Sequence, residues 1–188
     1  MTKFFIRTLD FIFAFCGLLF AFPILLIVTI IGLFDTGSPI FLQNRVGRYK
    51  RPFTLIKFRT MSVETKSVAS HLANTSSITK LGSFLRRTKI DELPQLINVL
   101  KGEMSLVGPR PNLFNQEELI SERDKLGVYD VLPGITGFAQ VNSIDMSTPK
   151  LLAETDLRMI LSLTIKNYFK YIIMTVTGSG SGDAIVTK

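Results

Sequence analysis

The chain has 188 residues, which is enough for one ordinary domain with little left over. Its net charge of +7 favours an anionic partner, namely a nucleic acid, an acidic membrane surface or a phosphorylated substrate. A mean hydropathy of +0.31 is unusual for a soluble nucleic-acid binder and favours the membrane. The single cysteine excludes an internal disulfide, and the sequence contains no nucleic-acid-binding module and no common nucleotide-binding fingerprint.

An uncharged apolar run covers residues 11–34. As a straight helix it would be about 36 Å long, enough to cross a hydrocarbon core of about 30 Å, so a plain span is one interpretation. Pro23 in its middle and basic residues on both flanks favour another, because proline removes a helix hydrogen bond and cationic flanks prefer the cytoplasm. We therefore predict a re-entrant membrane-anchoring helix over residues 1–36 and a cytoplasmic, membrane-surface domain over residues 37–188.

Two short segments rich in Phe, Ile and Leu follow, at residues 38–47 and 51–61. A basic turn that contains glycine separates them, so they are predicted to pair as a β-hairpin. Residues 63–77 are polar and weakly patterned and are predicted to form a loop or irregular helix. His71, the only histidine, lies there and is predicted to be a solvated bystander, since metal-binding histidines normally come with partners.

Helical spacing of apolar residues recurs at residues 78–90, 92–102, 115–127 and 157–176. The third of these helices is polar and predicted to lie on the surface. The fourth is predicted to be one long amphipathic helix, packed in the core or lying in the membrane interface. Residues 132–142 are predicted to be a turn followed by a short extended segment. The predicted fold class is thus α+β, mostly helical, with a re-entrant membrane helix, amphipathic interfacial helices and a small β-hairpin.

Two acids, Asp91 and Glu92, stand side by side just ahead of Pro94. An ionised carboxylate needs no general base to act as a nucleophile, since an unperturbed Asp titrates near pKa 3.9. When the target is a phosphate, the carboxylate needs relief from charge repulsion, which a divalent cation and arginines supply. The alternative is that Asp91 only caps the helix that follows.

Basic residues accompany these acids from several parts of the chain. Arg86, Arg87 and Lys89 precede them, and Arg110 follows in the rigid "GPRP" segment. Lys57 and Arg59 alternate along a predicted strand, so both can point to the same face. The alternative for the arginines is a solvated surface that faces lipid headgroups. Spacing alone leaves both interpretations open.

The order of "GSPIFLQNRVGR", "FTLIKFRTM", "KIDELPQLINVLKGEMSLVGPRP" and "PGITGFAQVN" closely resembles the bacterial sugar transferase family. These are the monotopic phosphoglycosyl transferases that start lipid-linked glycan assembly. The similarity covers nearly the whole chain, and the chain looks like the small members that hold only the catalytic core. The family's re-entrant helix usually breaks at Ser-Pro, whereas this chain has Phe22-Pro23, so the usual serine is missing there.

The resemblance implies transfer of a sugar phosphate from a UDP-sugar to undecaprenyl phosphate, with Mg²⁺ and release of UMP, at the cytoplasmic face of the bacterial inner membrane. It implies that Asp91 is the nucleophile and that Glu92 is the acid tied to the metal, with Asp91 as a further metal ligand. Arg110 would bind substrate phosphate. The weaker candidates are Lys57, Arg59 and Arg86 for phosphate and Asp156 as a further acid. A membrane adaptor without enzymatic activity and a metal-dependent hydrolase of nucleotide sugars are the alternative functions.

Overall fold

The computed structural model of the chain describes residues 2–65 and 77–178, so His71 lies outside the described residues. The described residues form an α+β structure that is mostly helical, as predicted. The helices are α1 (Thr2–Asp35), α2 (Lys80–Thr88), α3 (Gln95–Lys101), α4 (Glu117–Lys125), α5 (Phe138–Val141), α6 (Pro149–Ser162) and α7 (Ile165–Val176). The strands are β1 (Ile40–Val46), β2 (Pro52–Phe58), β3 (Ser105–Val107) and β4 (Gly134–Thr136).

The N-terminal apolar segment forms a single continuous helix, α1, with Pro23 inside it. The chain therefore does not form two separate half-helices at this point. Proline removes one hydrogen bond from a helix, and the hydrogen bonds of the flanking turns hold α1 together across that position. The division into a membrane segment over 1–36 and a surface domain over 37–188 stays a prediction.

Only one face of α1 packs against the rest of the protein. Its buried positions recur at helical spacing, among them Ile6, Asp10, Ala14 and Val28. The other faces expose large apolar side chains, including Phe4, Phe11, Phe15, Leu19, Phe20, Phe22, Ile27 and Phe34. By length and composition, α1 is the only helix among the described residues that could cross a membrane. So large an apolar surface indicates contact with lipid.

Both ends of α1 make polar contacts with the same folded domain. Near the N-terminus, Arg7 Nη2 donates to the Val99 carbonyl at 2.6 Å, and Asp10 Oδ1 accepts from the Leu106 N–H at 2.9 Å. At the other end, the Thr79 hydroxyl donates to Asp35 Oδ2 at 2.7 Å. A helix that crosses a bilayer carries its two ends to opposite sides. Contacts at both ends therefore favour a path that stays on one face of the membrane.

The predicted hairpin is present, with β1 and β2 antiparallel and Ile40 paired with Phe58. A second pair of strands, β3 and β4, is parallel. The sequence analysis predicted an extended segment near β4 and missed β3. Both parallel strands are only three residues long, so their alternating pattern is too short to be distinctive.

Gly108 at the end of β3 and Gly134 at the start of β4 allow two motifs to approach each other closely. A Cβ atom added to Gly134 would lie 2.0 Å from the Gly108 nitrogen, which no side chain tolerates. The Gly108 N–H donates to the Thr136 carbonyl at 2.8 Å, and the Gly134 N–H donates to the Pro109 carbonyl at 2.9 Å. The "GPRP" and "PGITG" segments thus touch backbone to backbone.

The single long helix predicted for residues 157–176 is wrong, because the chain breaks between α6 and α7. The Thr164 hydroxyl accepts the Asn167 N–H at 3.2 Å and caps α7, while the Asn167 side chain donates to the Ser162 carbonyl at 2.8 Å. These local side-chain bonds take the place of helical backbone bonds at the break. Leu161, Ile165 and several later residues of α7 are exposed, and the placement of these helices in a membrane interface stays a prediction.

The path of α1 can be tested with a cysteine at one end. We expect the thiol of Lys3→Cys, in a Cys16→Ser background, to be protected from a membrane-impermeant thiol reagent in intact cells. The reason is that both ends of α1 contact one domain. Asn115→Cys, at an exposed position of that domain, is the matched control. Both positions should be labelled only after permeabilisation. Labelling at position 3 but not at position 115 in intact cells would restore the plain span.

Candidate active site

Asp91 and Glu92 lie in a single 3-10 turn, Ile90–Glu92, between α2 and α3. Asp91 is 2% exposed and Glu92 is 9% exposed. The turn begins after Lys89, which adopts a left-handed conformation with φ of 58°. The N-cap position of α3 is occupied by Pro94, which makes no side-chain cap bond. Asp91 therefore does not occupy the cap position that the sequence suggested, and its burial, like that of Glu92, costs free energy.

Apolar packing fixes this turn to the rest of the molecule. Ile90 packs against a cluster of Val28 from α1, Phe58 from β2 and Leu85 from α2. A hydrogen bond also joins α2 to the segment after β2: Arg86 Nε donates to the Thr60 hydroxyl at 2.9 Å. The position of the acids thus depends on the membrane helix as well as on the hairpin.

Arg110 reaches the acids from the "GPRP" segment. Its Nη2 donates to Glu92 Oε1 at 2.8 Å, and the two side chains are 22% and 11% exposed. Prolines on both sides restrict the backbone of Arg110. The structure thus brings together the two motifs that the sequence analysis singled out.

A buried network holds the backbone of Arg110 from behind. Arg123 of α4 is 1% exposed and donates from Nη1 to the Arg110 carbonyl at 2.8 Å. Its Nε and Nη2 donate to Asp156 Oδ2 of α6 at 3.0 and 2.6 Å. Asn112 Oδ1 accepts from both Arg123 and Tyr129. The network therefore links α4 and α6 to the Arg110 segment.

Asp156, a weaker acidic candidate in the sequence analysis, pairs with Arg123 in this network. Burial raises the pKa of the Asp156 carboxyl, and the Arg123 guanidinium opposes that rise by stabilising the carboxylate. Burial also raises the pKa of the Tyr129 hydroxyl. Arg123 itself was missed, because α4 was predicted to be a polar surface helix and its buried charge has no distinctive local signal.

The other predicted cations lie around the end of β2. Lys57 Nζ lies 5.8 Å and the Arg59 guanidinium carbon 5.3 Å from the centre of the Phe41 ring, which confirms that both side chains share one face. Arg59 Nε donates to the Ser38 carbonyl at 2.8 Å. Lys57 is 7% exposed. β2 itself packs against the acidic turn, so the strand that carries Lys57 lies next to the two acids.

The donor set suits a Mg²⁺ ion only if substrate completes its coordination. Within residues 2–65 and 77–178, no group of three or more His, Cys, Asp and Glu side chains could hold a metal ion. Two adjacent carboxylates are nevertheless present, and protein-bound Mg²⁺ typically takes one or two carboxylates, water and substrate phosphates. Asp91 and Glu92 thus fit a metal that arrives with a phosphorylated substrate, and they do not form a structural cage.

A cavity of about 550 Å³ borders the turn. Its wall is apolar over most of its area, with a few polar groups. The lining residues are Arg87, Thr88, Lys89, Glu92, Leu93, Leu96, Leu106, Ile135, Thr136, Ile172, Thr175, Val176 and Gly178. Only Glu92, Arg87 and Lys89 among them stood out in the sequence, because the others are spread over several segments that share no motif.

Comparison with known proteins identifies the family. The profile of the family described as "Bacterial sugar transferase" matches residues 1–180 of the chain. The chain belongs to the bacterial sugar transferase family. The resemblance noted in the sequence motifs is therefore confirmed, and the Asp91–Glu92 turn with Arg110 lies within the region that the profile matches.

Three relatives show the range of named activities among similar proteins. The chain is 37% identical over 180 residues to the UDP-glucose:undecaprenyl-phosphate glucose-1-phosphate transferase of Escherichia coli, covering 90% of the chain and 39% of that protein. It is 34% identical over 174 residues to the UDP-N-acetylgalactosamine-undecaprenyl-phosphate N-acetylgalactosaminephosphotransferase of Aeromonas hydrophila, covering 85% and 40%. It is 50% identical over 107 residues to the uncharacterized sugar transferase EpsL of Bacillus subtilis, covering 56% and 52%. The chain thus spans about half or less of the length of these relatives.

The buried network of this bacterial sugar transferase predicts a large difference between two aspartates. Asp156→Asn leaves the Arg123 charge buried without its carboxylate, so we expect the free energy of unfolding to fall by about 3 kcal/mol or more. Asp124→Asn, in the exposed pair with Lys50 on the same helix α4, should cost less than about 1 kcal/mol. Denaturant unfolding of the detergent-solubilised protein measures both changes. Equal losses in the two variants would mean that the buried pair does not hold α4 and α6 together.

Proposed function

We propose that this chain is a phosphoglycosyl transferase that moves a sugar 1-phosphate from a UDP-sugar to undecaprenyl phosphate. The observation that carries the proposal is the buried turn of Asp91 and Glu92 with Arg110 bonded to Glu92. The names of the relatives from Escherichia coli and Aeromonas hydrophila, which specify this type of transfer, support it. The reaction would be the first membrane step in assembling a glycoconjugate such as O-antigen, capsule, exopolysaccharide or a glycoprotein glycan.

The first step is attack by Asp91 on the donor. A carboxylate oxygen of Asp91 forms a bond to the β-phosphorus of the UDP-sugar, and the bond from that phosphorus to the bridging oxygen breaks. UMP leaves with the electron pair of that bond, and no proton is transferred. The product on the protein is an aspartyl-phosphosugar.

The positive charges near the turn reduce the repulsion between this carboxylate and a diphosphate. Arg110 lies at hydrogen-bond distance from Glu92, so its planar guanidinium can bind a phosphate next to the acids. Lys57, Arg59 and Arg86 are the further phosphate-binding candidates around β2. Glu92 and Asp91 would hold Mg²⁺, which when bound neutralises charge on the phosphates and on the leaving group.

The second step returns Asp91 to its starting state. A phosphate oxygen of undecaprenyl phosphate attacks the same phosphorus, a P–O–P bond forms, and the bond to Asp91 breaks to give back the carboxylate. Undecaprenyl phosphate is a membrane lipid, and the exposed apolar faces of α1 support a location on the bilayer. We place the domain on the cytoplasmic face of the bacterial inner membrane.

Burial of the acids favours transfer over the two alternative functions. Asp91 is 2% exposed, so a phosphosugar on it would be shielded from water, which a hydrolase instead has to admit. A membrane adaptor would have no use for two adjacent buried carboxylates, which are costly to bury. The burial of the two acids therefore favours an acceptor other than water.

Omission of the lipid acceptor tests the covalent step. With enzyme, Mg²⁺ and UDP-sugar alone, we expect a burst of UMP stoichiometric with enzyme, because Asp91 attacks before the lipid is needed. The peptide that carries Asp91 should gain the mass of the sugar phosphate. The test is run over a panel of UDP-sugars, since the sugar is not specified by the observed contacts.

Asp91→Asn is the matched control, because it keeps the size of the side chain and removes the nucleophile. It should give neither the burst nor the mass increase. Release of UMP from the wild type only when lipid is present, with intersecting rather than parallel initial-rate lines, would rule out the covalent route. Continued UMP formation without lipid, well beyond one equivalent, would indicate the hydrolase.

Arg110 offers a test of how phosphate is bound. If its guanidinium binds phosphate through paired hydrogen bonds, lysine cannot replace it, since an ammonium lacks the planar fork. We expect Arg110→Lys to lose about 10²-fold in turnover, close to the loss in Arg110→Ala, while both variants still unfold cooperatively. The thermal midpoint of Arg110→Ala should fall, because Glu92 loses this ion pair. Activity near the wild-type level in Arg110→Lys would reduce the role of this residue to a simple positive charge.

A further inference from the structure

The cavity beside the acidic turn has two chemically different ends. Arg87, Lys89 and Glu92 form a charged end next to Asp91 in the sequence. The remainder of the wall is mainly apolar by area, with Leu93, Leu96, Leu106, Ile135, Ile172 and Val176 beside three threonines and a glycine. Its volume of about 550 Å³ lies within the range of ordinary small-molecule sites. A ligand that matches this wall is an amphiphile with a small anionic head.

The apolar part of the wall continues into the membrane helix. Leu96 belongs to the same packed cluster as Ala14, with Leu18 of α1 against it. At Gly17 of α1 a Cβ atom would lie only 3.1 Å from Leu96 Cδ1, so the helix and this wall residue are in close contact. On the other side, Val176 at the end of α7 lines the cavity and is 82% exposed. The cavity therefore lies between the lipid-facing helix and an apolar rim.

Cations are placed at the charged end by the fold. Lys89, in its left-handed conformation, donates from Nζ to the Thr175 carbonyl at 3.1 Å and so spans from the acidic turn to α7. An ammonium carries three donors and a full positive charge, and both suit a phosphate. Arg87 is an exposed neighbour on the same wall. These charges match a phosphate monoester next to the acids.

We propose that this cavity is the acceptor subsite and holds the first isoprene units of an isoprenyl phosphate. Its phosphate lies at the end formed by Lys89 and Arg87, and its chain lies against Leu93, Leu96 and Ile172. This inference rests on the proposed function. A nucleotide sugar matches the wall poorly, because its hydroxyl groups and base need many polar partners and most of the wall offers none.

The position of the cavity explains how two anionic substrates use one nucleophile. The cations Lys57, Arg59 and Arg86 lie around β2, whereas the cavity is made by residues of α2, α3, β3, β4, α7 and the acidic turn. The donor would thus be bound from the side of β2, and the acceptor from the side of α7. Repulsion between the two phosphates is reduced, because UMP leaves before the second step.

Filling the cavity tests this assignment. Ile172→Trp places a larger side chain in the wall, and we expect the apparent KM for undecaprenyl phosphate to rise about tenfold or more. The KM for UDP-sugar and the lipid-free UMP burst should stay at the wild-type values, and an intact burst shows that the variant is folded. Ile173→Trp is the matched control, since Ile173 is the next residue of α7 and 59% exposed. It should change neither KM.

Direct binding tests the cavity independently of catalysis. The chain has no tryptophan, so Val176→Trp at the cavity rim gives a fluorescence signal without background. We expect saturable quenching or a blue shift with farnesyl phosphate, a weaker response with farnesol, and none with inorganic phosphate or UMP. Adding Lys89→Gln should weaken farnesyl phosphate binding about tenfold.

Each other outcome overturns the proposal in a distinct way. A response to UMP, or a changed KM for UDP-sugar in Ile172→Trp, would assign the cavity to the donor. An equal response to phosphatidic acid vesicles would mean a general lipid-headgroup site. If the wild type shows no transferase activity while farnesyl phosphate still binds at the cavity, the proposed function fails and the lipid phosphate site stands.

Discussion

The ion pair between Arg110 and Glu92 is the constraint on which the candidate site depends. A partly buried pair contributes only when its geometry is good, because each charge loses hydration on burial. The geometry here comes from the backbone: Arg123 binds the Arg110 carbonyl at 2.8 Å, and Arg45 binds the Pro111 carbonyl at 3.2 Å. Arg123 and Arg45 thus hold two consecutive carbonyls of the segment that carries Arg110. The free-energy cost of burying these two arginines is offset by their hydrogen bonds to a carboxylate and to backbone carbonyls.

The same site is tied to the membrane helix, so anchoring and chemistry share one set of contacts. Val28 of α1 packs with Ile90, which precedes Asp91, and Asp10 of α1 accepts bonds from the Leu106 N–H and the Tyr168 hydroxyl. A charged residue on an otherwise apolar helix is costly in lipid, which strongly favours keeping this face of α1 on the domain. α1 is therefore one wall of the core that positions the acids, and we propose that it is also the membrane anchor.

The sequence predicts those parts of the fold that carry strong local signals. The hairpin, α2 and α3 follow from apolar periodicity and from cap residues such as Gly102, which adopts φ of 84° at the end of α3. The break before Thr164 was missed, because it comes from side-chain bonds inside an unbroken amphipathic pattern. Arg123 was missed because it lies in a helix rich in charged residues, which predicts exposure. Its burial becomes evident only when its distant partner Asp156 is known. Lys89 was recognised only as a cation ahead of the acids, and its left-handed backbone gave no signal, because that conformation is unusual for lysine.

In the reaction that we propose, burial of Asp91 means that both substrates reach it only from defined directions. A carboxylate that is 2% exposed is reached only through the groups that cover it, so its neighbours would decide which phosphates can react. β2, which carries Lys57, packs against the turn, and the cavity with its mainly apolar wall lies beside Glu92. A water-soluble donor and a lipid acceptor differ most in the surfaces that suit them. Separating those surfaces around one carboxylate would let each substrate of the proposed reaction be selected by its own chemistry, while water, which matches neither route, would be kept from the proposed aspartyl-phosphosugar.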